Sequence, residues 1–295
     1  MKIMLFAYHE IGYLCLDHLL KSGDNVVALF THAPNPKENI WFKTPDVLAK
    51  KYNIPVYYDA DLNSPEVKKL ILEKLCPDVV FSLSFRQKIP NFIINYPKLG
   101  AFNMHGAYLP KYRGCVPLNW ALVKGEKSTG VTIHYLADKF DTGAIVAQHK
   151  IPITKSDDIN SLYRKFHRVG LELFKKTWPK IKSSKIKTIP QDPAQASYFG
   201  KRKPEDGLIN WQTMSSEEIY NLIRAVTKPY PGAFTILDGK KIILWHAKIR
   251  NKNPKNLKPG EHFEQNGLLF IGCSDGKVLE CDDYYGASII ANIVS

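Results

Sequence analysis

"KIMLFAYHEIGYLCLDHLLKSGDNVVALFTH", Lys2–His32, decides the fold. "KIMLFAY" and "NVVALFTH" are short apolar runs of strand length. Between them lies "IGYLCLDHLLKSG", where apolar residues recur with helical period. Lys21 in the last turn and Gly23 just after it close that helix, and Asn25 opens the second strand. The alternation continues through "TPDVLAKKYN", "IPVYYDA", "SPEVKKLILEKL" and "PDVVFSLSF". Strands that alternate with helices predict an α/β fold, a parallel sheet wrapped by helices. The first turn, "AYHEIG", carries no G-x-G-x-x-G, so a dinucleotide cofactor has no fingerprint here and a dehydrogenase is disfavoured.

The pattern changes later in the chain. From 157 to 183 the sequence reads as one helix, with Ile159, Leu162, Phe166, Val169 and Leu173 on an apolar stripe that speaks for packing. "FGKRKPEDG", Phe199–Gly207, reads as a hinge. Beyond it come a short helix, "SSEEIYNLIRAV", and the strand-like runs "GAFTILDG", "KKIILWHAKI" and "GLLFIGCSDGKVLECD", punctuated by DG, NG and SDG turns. A small β-barrel or sandwich is expected there.

Bulk properties narrow the class. The 295 residues, 44% hydrophobic and 23% charged, suit one large or two ordinary globular domains. No apolar run approaches the ~20 residues of a membrane span. "MKIMLFAYHE" is interrupted too early, at His9 and Glu10, for a signal peptide, and reads as a first strand. Five cysteines without CxxC spacing argue against a disulfide framework and against zinc, so a reducing cytoplasm is expected. The net charge of +13 favours anionic partners such as phosphates, nucleotides or nucleic acid, or else describes a solvated lysine-rich surface.

The stretch "AFNMHGAYLPKYRG", Ala101–Gly114, is where chemistry enters. Asn103 and His105 stand two apart, so on a strand they share one face. Asp141 precedes a Thr-Gly turn in "LADKFDTGAIVAQ". An Asn amide can donate to an oxyanion, an imidazole can take and return a proton near neutral pH, and a carboxylate beside it favours the imidazolium form. Together they suit attack of a neutral amine on an already activated acyl group. Spacing alone also admits a structural histidine and an ordinary turn aspartate. Cys115 has no base paired with it in the sequence and reads as a small residue beside a pocket. His9, His32, His134 and His149 lack metal-ligand spacing, and no metal is expected.

"FNMHGAYLPKYRG" followed by "GVTIHYLADKFDTGAIVAQHKIPI" resembles the N10-formyltetrahydrofolate-dependent formyltransferases, with their Asn-x-His, Leu-Pro-x-x-Arg-Gly and Asp-x-Gly motifs. "PYPGAF" and "KIILWHAKI" look like that family's second, OB-like domain, so the resemblance runs along essentially the whole chain. It implies a Rossmann-like catalytic domain over 1–202 and a small OB-like β domain over 203–295. Within the family, "FAYHEIGYLCLDHLL", "FTHAPNP" and "IPVYYDA" look like the formyltransferase domain of the bifunctional lipid A modification enzyme, which formylates UDP-4-amino-4-deoxy-L-arabinose. That enzyme continues into a decarboxylase domain; this sequence stops at Ser295, so such an activity is expected elsewhere. The likeness implies transfer of a formyl group from N10-formyltetrahydrofolate to the 4-amine of a nucleotide-linked amino sugar, in surface polysaccharide or lipid A synthesis. It assigns transition-state stabilisation to Asn103, proton transfer to His105 and support of the imidazolium to Asp141. It places the folate against Gln87, Lys88, Ile89, Cys115, Ala137, Asp138, Lys139, Phe140 and Asp141. No nucleic acid partner is expected on this reading. The alternative is a methionyl-tRNA formyltransferase, for which the basic run "IRNKNPKNLKPG" (249–260) would contact the tRNA backbone; a catalytically silent binder would have no need of all three residues. Two departures bear on binding: Ala107–Pro110 stand where the family often has Ser-Leu-Leu-Pro, and Cys115 stands where the lipid A enzyme has an arginine.

Overall fold

The first strand places Ile3 and Leu5 on one face and Met4 and Phe6 on the other, and all four are fully buried. A strand apolar on both faces belongs in a sheet covered by helices on both sides. That is its setting in the computed structural model of the chain, which describes residues 1–36 and 39–286. The chain divides into two units, and each draws on more than one segment. The first comprises Met1–Pro117, Ser128–Pro152 and Tyr163–Phe199; the second comprises Leu118–Lys127, Ile153–Leu162 and the residues from Gly200 on.

In chain order the elements up to Phe199 begin with β1 (Lys2–Ala7), α1 (His9–Lys21), β2 (Asn25–Thr31), α2 (Pro45–Lys51) and β3 (Val56–Tyr58). Next come α3 (Pro65–Lys69), β4 (Val79–Leu83), α4 (Asn91–Ile94), β5 (Ala101–His105), β6 (Arg113–Gly114) and α5 (Pro117–Val123). The set ends with β7 (Ser128–Tyr135), β8 (Ile145–Pro152), α6 (Ile159–Lys182) and β9 (Tyr198–Phe199). The seven-stranded sheet of the first unit runs β3-β2-β1-β4-β5-β7-β8. Its first five strands are parallel, as the β-α-β alternation predicts. β7 and β8 then join antiparallel, a reversal that the hydrophobic pattern does not announce. The strand order switches direction between β1 and β4, where an open α/β sheet leaves a crevice for ligands.

Both faces of this sheet are packed. Met4, Phe6, Ala28, Phe30, Val80 and Ala101 form one core with Leu62, Ile71, Ile89 and Ile93. On the other face Phe81 packs against Phe174 and Trp178 of α6, with ring centroids 5.1 and 5.4 Å apart. Burial of each such ring contributes about 1.5–3 kcal/mol. The buried face of α6 runs through Ile159, Leu162, Phe166, Phe174, Trp178 and Ile181. Val169 and Leu173, which the sequence places on the stripe, lie at its margin and line a small surface cavity instead.

In the second unit α7 (Ser216–Ala225) opens on a capping box, Ser215 with Glu218. The five strands that follow are β10 (Ala233–Leu237), β11 (Lys240–Arg250), β12 (His262–Gln265), β13 (Leu268–Gly272) and β14 (Val278–Tyr285). They form one antiparallel sheet in the order β10-β11-β14-β13-β12. Two of its hairpins turn at Asp238-Gly239 and Asn266-Gly267, with φ of +48° and +74° and of +54° and +74°. These are the DG and NG turns read from the sequence, which supply the positive φ that tight hairpins require.

Candidate active site

The site is built on one face of β5. Ser82 of β4, Asn103 of β5 and His134 of β7 are register partners, so they form a polar row across three strands. β7 is antiparallel to β5 and ends at Tyr135, opposite Phe102. The loop that follows must therefore fold back over the sheet for Asp141 to meet Asn103 and His105. It does so through a left-handed residue, Asp141 itself at φ +57°. Gly143 completes the turn, where a Cβ would sit 1.8 Å from the carbonyl oxygen of Tyr135; this explains the Asp-Thr-Gly sequence.

The structure brings the predicted trio together. His105 Nδ1 lies 3.6 Å from Asp141 Oδ1, and Asn103 Nδ2 donates to the same oxygen at 3.4 Å. His105 Nε2 donates to the carbonyl oxygen of Tyr112 at 2.7 Å. A carbonyl can only accept, so Nε2 carries a hydrogen and Nδ1, facing Asp141, is the nitrogen available for proton transfer. His134, which sequence reasoning passes over, is a fourth member. Its Nδ1 donates to the carbonyl oxygen of Tyr135 at 2.8 Å, which leaves Nε2 to accept from Asn103 Nδ2 at 3.1 Å. His134 Nε2 also lies 3.5 Å from Asp141 Oδ1, and its side chain is only 1% exposed. The signal for it was present in the strand pattern, since His134 alternates with apolar residues in "GVTIHY".

Burial opposes charge on Asp141. Even so, the His105 imidazole, the His134 contact and the Gly114 N–H, which donates to Oδ2 at 2.8 Å, hold its carboxyl well below the usual carboxylate range. The loop after β5 is fixed from below: Thr132 Oγ1 donates to the Ala107 carbonyl at 2.7 Å, and Gln148 Nε2 donates to that of Leu109 at 2.7 Å. Backbone strain gathers here. Tyr112 and Val116 have φ of +60° and +44°, the latter unusual for a β-branched residue. Strained residues of this kind cost about 1–3 kcal/mol each and concentrate at functional sites.

The predicted folate segments also meet. Lys88 Nζ and Asn91 Nδ2 approach Asp138 Oδ1 at 3.0 and 3.3 Å, which ties the segment after β4 to the loop after β7. Gln87 is half-buried, while Ile89 is buried in the core with Ile93. Ala137 is half-buried, and Lys139 and Phe140 are exposed. A cavity of about 370 Å3 is lined by Arg113, Asp138, Lys139, Phe140 and Thr142, with Ala196, Ser197 and Tyr198 opposite. Cys115 lies outside that lining; it is half-buried, and its N–H donates to the Phe199 carbonyl at 2.9 Å. Two aromatic faces and two cations around one cavity suit a flat heterocycle that carries carboxylates.

A second cluster lies past the end of β1. His9, at φ +63°, stacks on Phe42 at 3.7 Å and packs against Tyr163 and His167. Burial, with His167 and Arg86 nearby, pushes His9 down to about 3; burial pushes His167 down to about 4. Among the described residues no three His, Cys, Asp or Glu side chains are grouped to hold a metal ion, and no helix is long and apolar enough to cross a membrane.

Asn103, His105 and Asp141, meeting over one face of β5, form the side-chain set of a group-transfer site, with an oxyanion donor, a proton carrier and a carboxylate beside it. The chain belongs to the formyl transferase family, whose model matches residues 1–177, with the family's C-terminal domain over 201–282. It is 45% identical over 275 residues to the bifunctional polymyxin resistance protein ArnA of Wigglesworthia glossinidia brevipalpis, a match that covers 92% of this chain and 41% of that protein. The chain thus spans less than half the length of that relative. Two solved structures share the fold at 24% identity. One is WlaRD, a sugar 3N-formyl transferase determined with dTDP and 5-N-formyl-THF, with a TM-score of 0.73 over 95% of this chain and 97% of that one. The other is an N-formyltransferase from Helicobacter canadensis in complex with folinic acid and dTDP-3-aminofucose, with a TM-score of 0.74 over 97% of this chain and all of that one.

Proposed function

We propose that this formyltransferase carries the formyl group of N10-formyltetrahydrofolate to the 4-amine of a nucleotide-linked amino sugar, UDP-4-amino-4-deoxy-L-arabinose above all. The observation that carries the reading is the Asn103–His105–Asp141 constellation in a chain 45% identical to an ArnA. The bound folate supplies the activated formyl group. His105 Nδ1 takes the proton that the amine sheds as its nitrogen bonds to the formyl carbon, and returns a proton to the departing folate nitrogen as that bond breaks. Asp141 stabilises the imidazolium formed between those steps. Asn103 donates to the developing oxyanion; both of its amide hydrogens already have acceptors, so the longer bond, to Asp141 at 3.4 Å, is the one exchanged. Phe140 and Tyr198 offer faces for the folate ring, and Lys139 and Arg113 offer charge for its carboxylates.

Two of the four basic residues in the run that would favour tRNA are engaged within the fold. Arg250 is bidentate to Glu280 at 2.7 and 2.8 Å, and Lys255 sits over the Phe263 ring at 3.9 Å. Formyl transfer measured against UDP- and dTDP-linked 4-amino sugars and charged initiator tRNA tests the reading. Transfer to the UDP sugar far above that to tRNA is expected. Preference for tRNA would transfer the assignment to the methionyl-tRNA enzyme.

A further inference from the structure

The trio is held by a segment about 50 residues downstream of Asp141, and one side chain there makes four hydrogen bonds at once. Gln191 Nε2 donates to the carbonyl oxygens of Asp141 and Gly143, at 2.8 and 2.7 Å. Gln191 Oε1 accepts from Arg113 Nε and Nη2, at 3.0 and 2.7 Å. Every polar atom of the amide is therefore used, and the two loops it joins are the two that carry the site. One bears Asp141. The other bears Tyr112, whose carbonyl fixes His105, and Gly114, whose N–H fixes Asp141.

The residues that follow Gln191 continue the junction. Ser197 accepts the Tyr112 N–H on Oγ and the Arg113 N–H on its carbonyl, both at 2.9 Å. β9 pairs with β6, and Phe199 stacks on Tyr112 at 4.8 Å. The approach is close enough that a Cβ on Gly114 would sit 2.3 Å from the Phe199 carbonyl oxygen. The backbone thus fixes the 197–199 segment on the 112–115 loop, while Gln191 ties the backbone of the Asp141 turn to the Arg113 side chain.

We infer that Gln191 is a positioning residue, which holds the Asp141 carboxylate at its working distance from His105 by clamping the 141–143 turn to the Arg113 loop. The inference rests on the role of Asp141 given above. Gln191 has no atom in the reaction; its effect passes through Asp141. Loss of the clamp lets the turn drift, and a displacement of about 1 Å at a reacting centre can cost ~10²-fold in rate.

Two substitutions and one cycle test it. Gln191→Met keeps the length and removes all four bonds; Gln191→Glu keeps acceptance from Arg113 but turns an anion toward two carbonyls. In the purified, folded variants kcat should fall about 10- to 100-fold, while KM for the UDP amino sugar moves little; KM for the folate rises only with Gln191→Met, which frees Arg113, and not with Gln191→Glu, which keeps it paired. In an Asp141→Asn background Gln191→Met should add almost nothing, because groups that act as a unit are non-additive. A kcat for either folded variant close to the wild type overturns the inference. So does an equal loss from Gln191→Met with and without the Asp141 carboxylate. Should Asp141→Asn itself leave kcat unchanged, the failure lies with the role assigned to Asp141.

Discussion

Asp141→Asn keeps the shape of the side chain and removes its charge. In the wild type the carboxylate lies 3.6 Å from His105 Nδ1 and 3.5 Å from His134 Nε2, with the Gly114 N–H on its second oxygen. A pair of unit charges about 4 Å apart, at an effective dielectric of about 20, is worth on the order of 4 kcal/mol. Expressed only in the transition state, where His105 becomes cationic, this is about 10³ in rate. The asparagine amide must also turn its oxygen to Gly114 to keep that bond, which sets its NH2 against His105. We therefore expect a fall in kcat of about 10²–10³, with KM for both substrates changed far less. The assay is formyl transfer under saturating UDP amino sugar and folate, with folding checked by circular dichroism. The variant should also lose the stability that the carboxylate contributes near neutral pH. The folded carboxyl titrates below its ordinary value of 3.8, so its contribution is full above that value and is lost as the pH falls through the folded one. A folded Asp141→Asn enzyme with wild-type kcat would refute the electrostatic reasoning.

His105→Ala should cost ~10²–10⁴ in turnover and Asn103→Ala ~10²–10³; steady-state kinetics of the folded variants check both. His9 and His167 are held neutral in the fold, at about 3 and 4 against 6.5, so the unfolded chain binds more protons below neutrality. Stability is full above 6.5 and should fall toward pH 4 with a slope of up to ~1.4 kcal/mol per unit for each group; His167→Asn should flatten a melting-midpoint series, and identical slopes would count against this. Charge reversal at Lys252 and Lys255 should leave sugar formylation unchanged with a shallow salt dependence, whereas a tRNA enzyme would show a steep log–log salt slope in binding.

Much of the fold lies open in the first 32 residues, because strands buried on both faces and a helix buried on one leave different periods in the sequence. The hairpins of the second unit are equally plain, since Asp238-Gly239 and Asn266-Gly267 supply the backbone angles the turns need. The antiparallel reversal at β7 is not legible: an interior strand is apolar whichever way it runs. The site divides along the same line. Asn103 and His105 are two residues apart, and period-2 alternation places them together. Asp141 meets them only because its loop folds back over the sheet, and His134 only because the β5–β7 register sets it opposite Asn103. Gln191 is more distant still, and its polar partners are carbonyls and an arginine with no spacing to mark them.

The lengths of the bonds in the site separate a frame from the parts that work. Bonds of 2.7–2.8 Å hold His105 to Tyr112, Gly114 to Asp141 and Gln191 to the 141–143 turn, and none of them need change during transfer. The contacts at 3.4–3.6 Å all converge on Asp141 Oδ1, from Asn103, His134 and His105. Contacts of that length are weak, so exchanging one for a substrate oxygen costs little. Asn103 keeps its shorter bond to His134 as a pivot while its second hydrogen turns to the formyl oxygen. His105 keeps Nε2 on Tyr112 while Nδ1 handles the proton. The site thus combines a tight frame with a few long contacts on one carboxylate oxygen. The tight bonds limit reorganisation to small rotations, and the loose ones are those the transition state replaces.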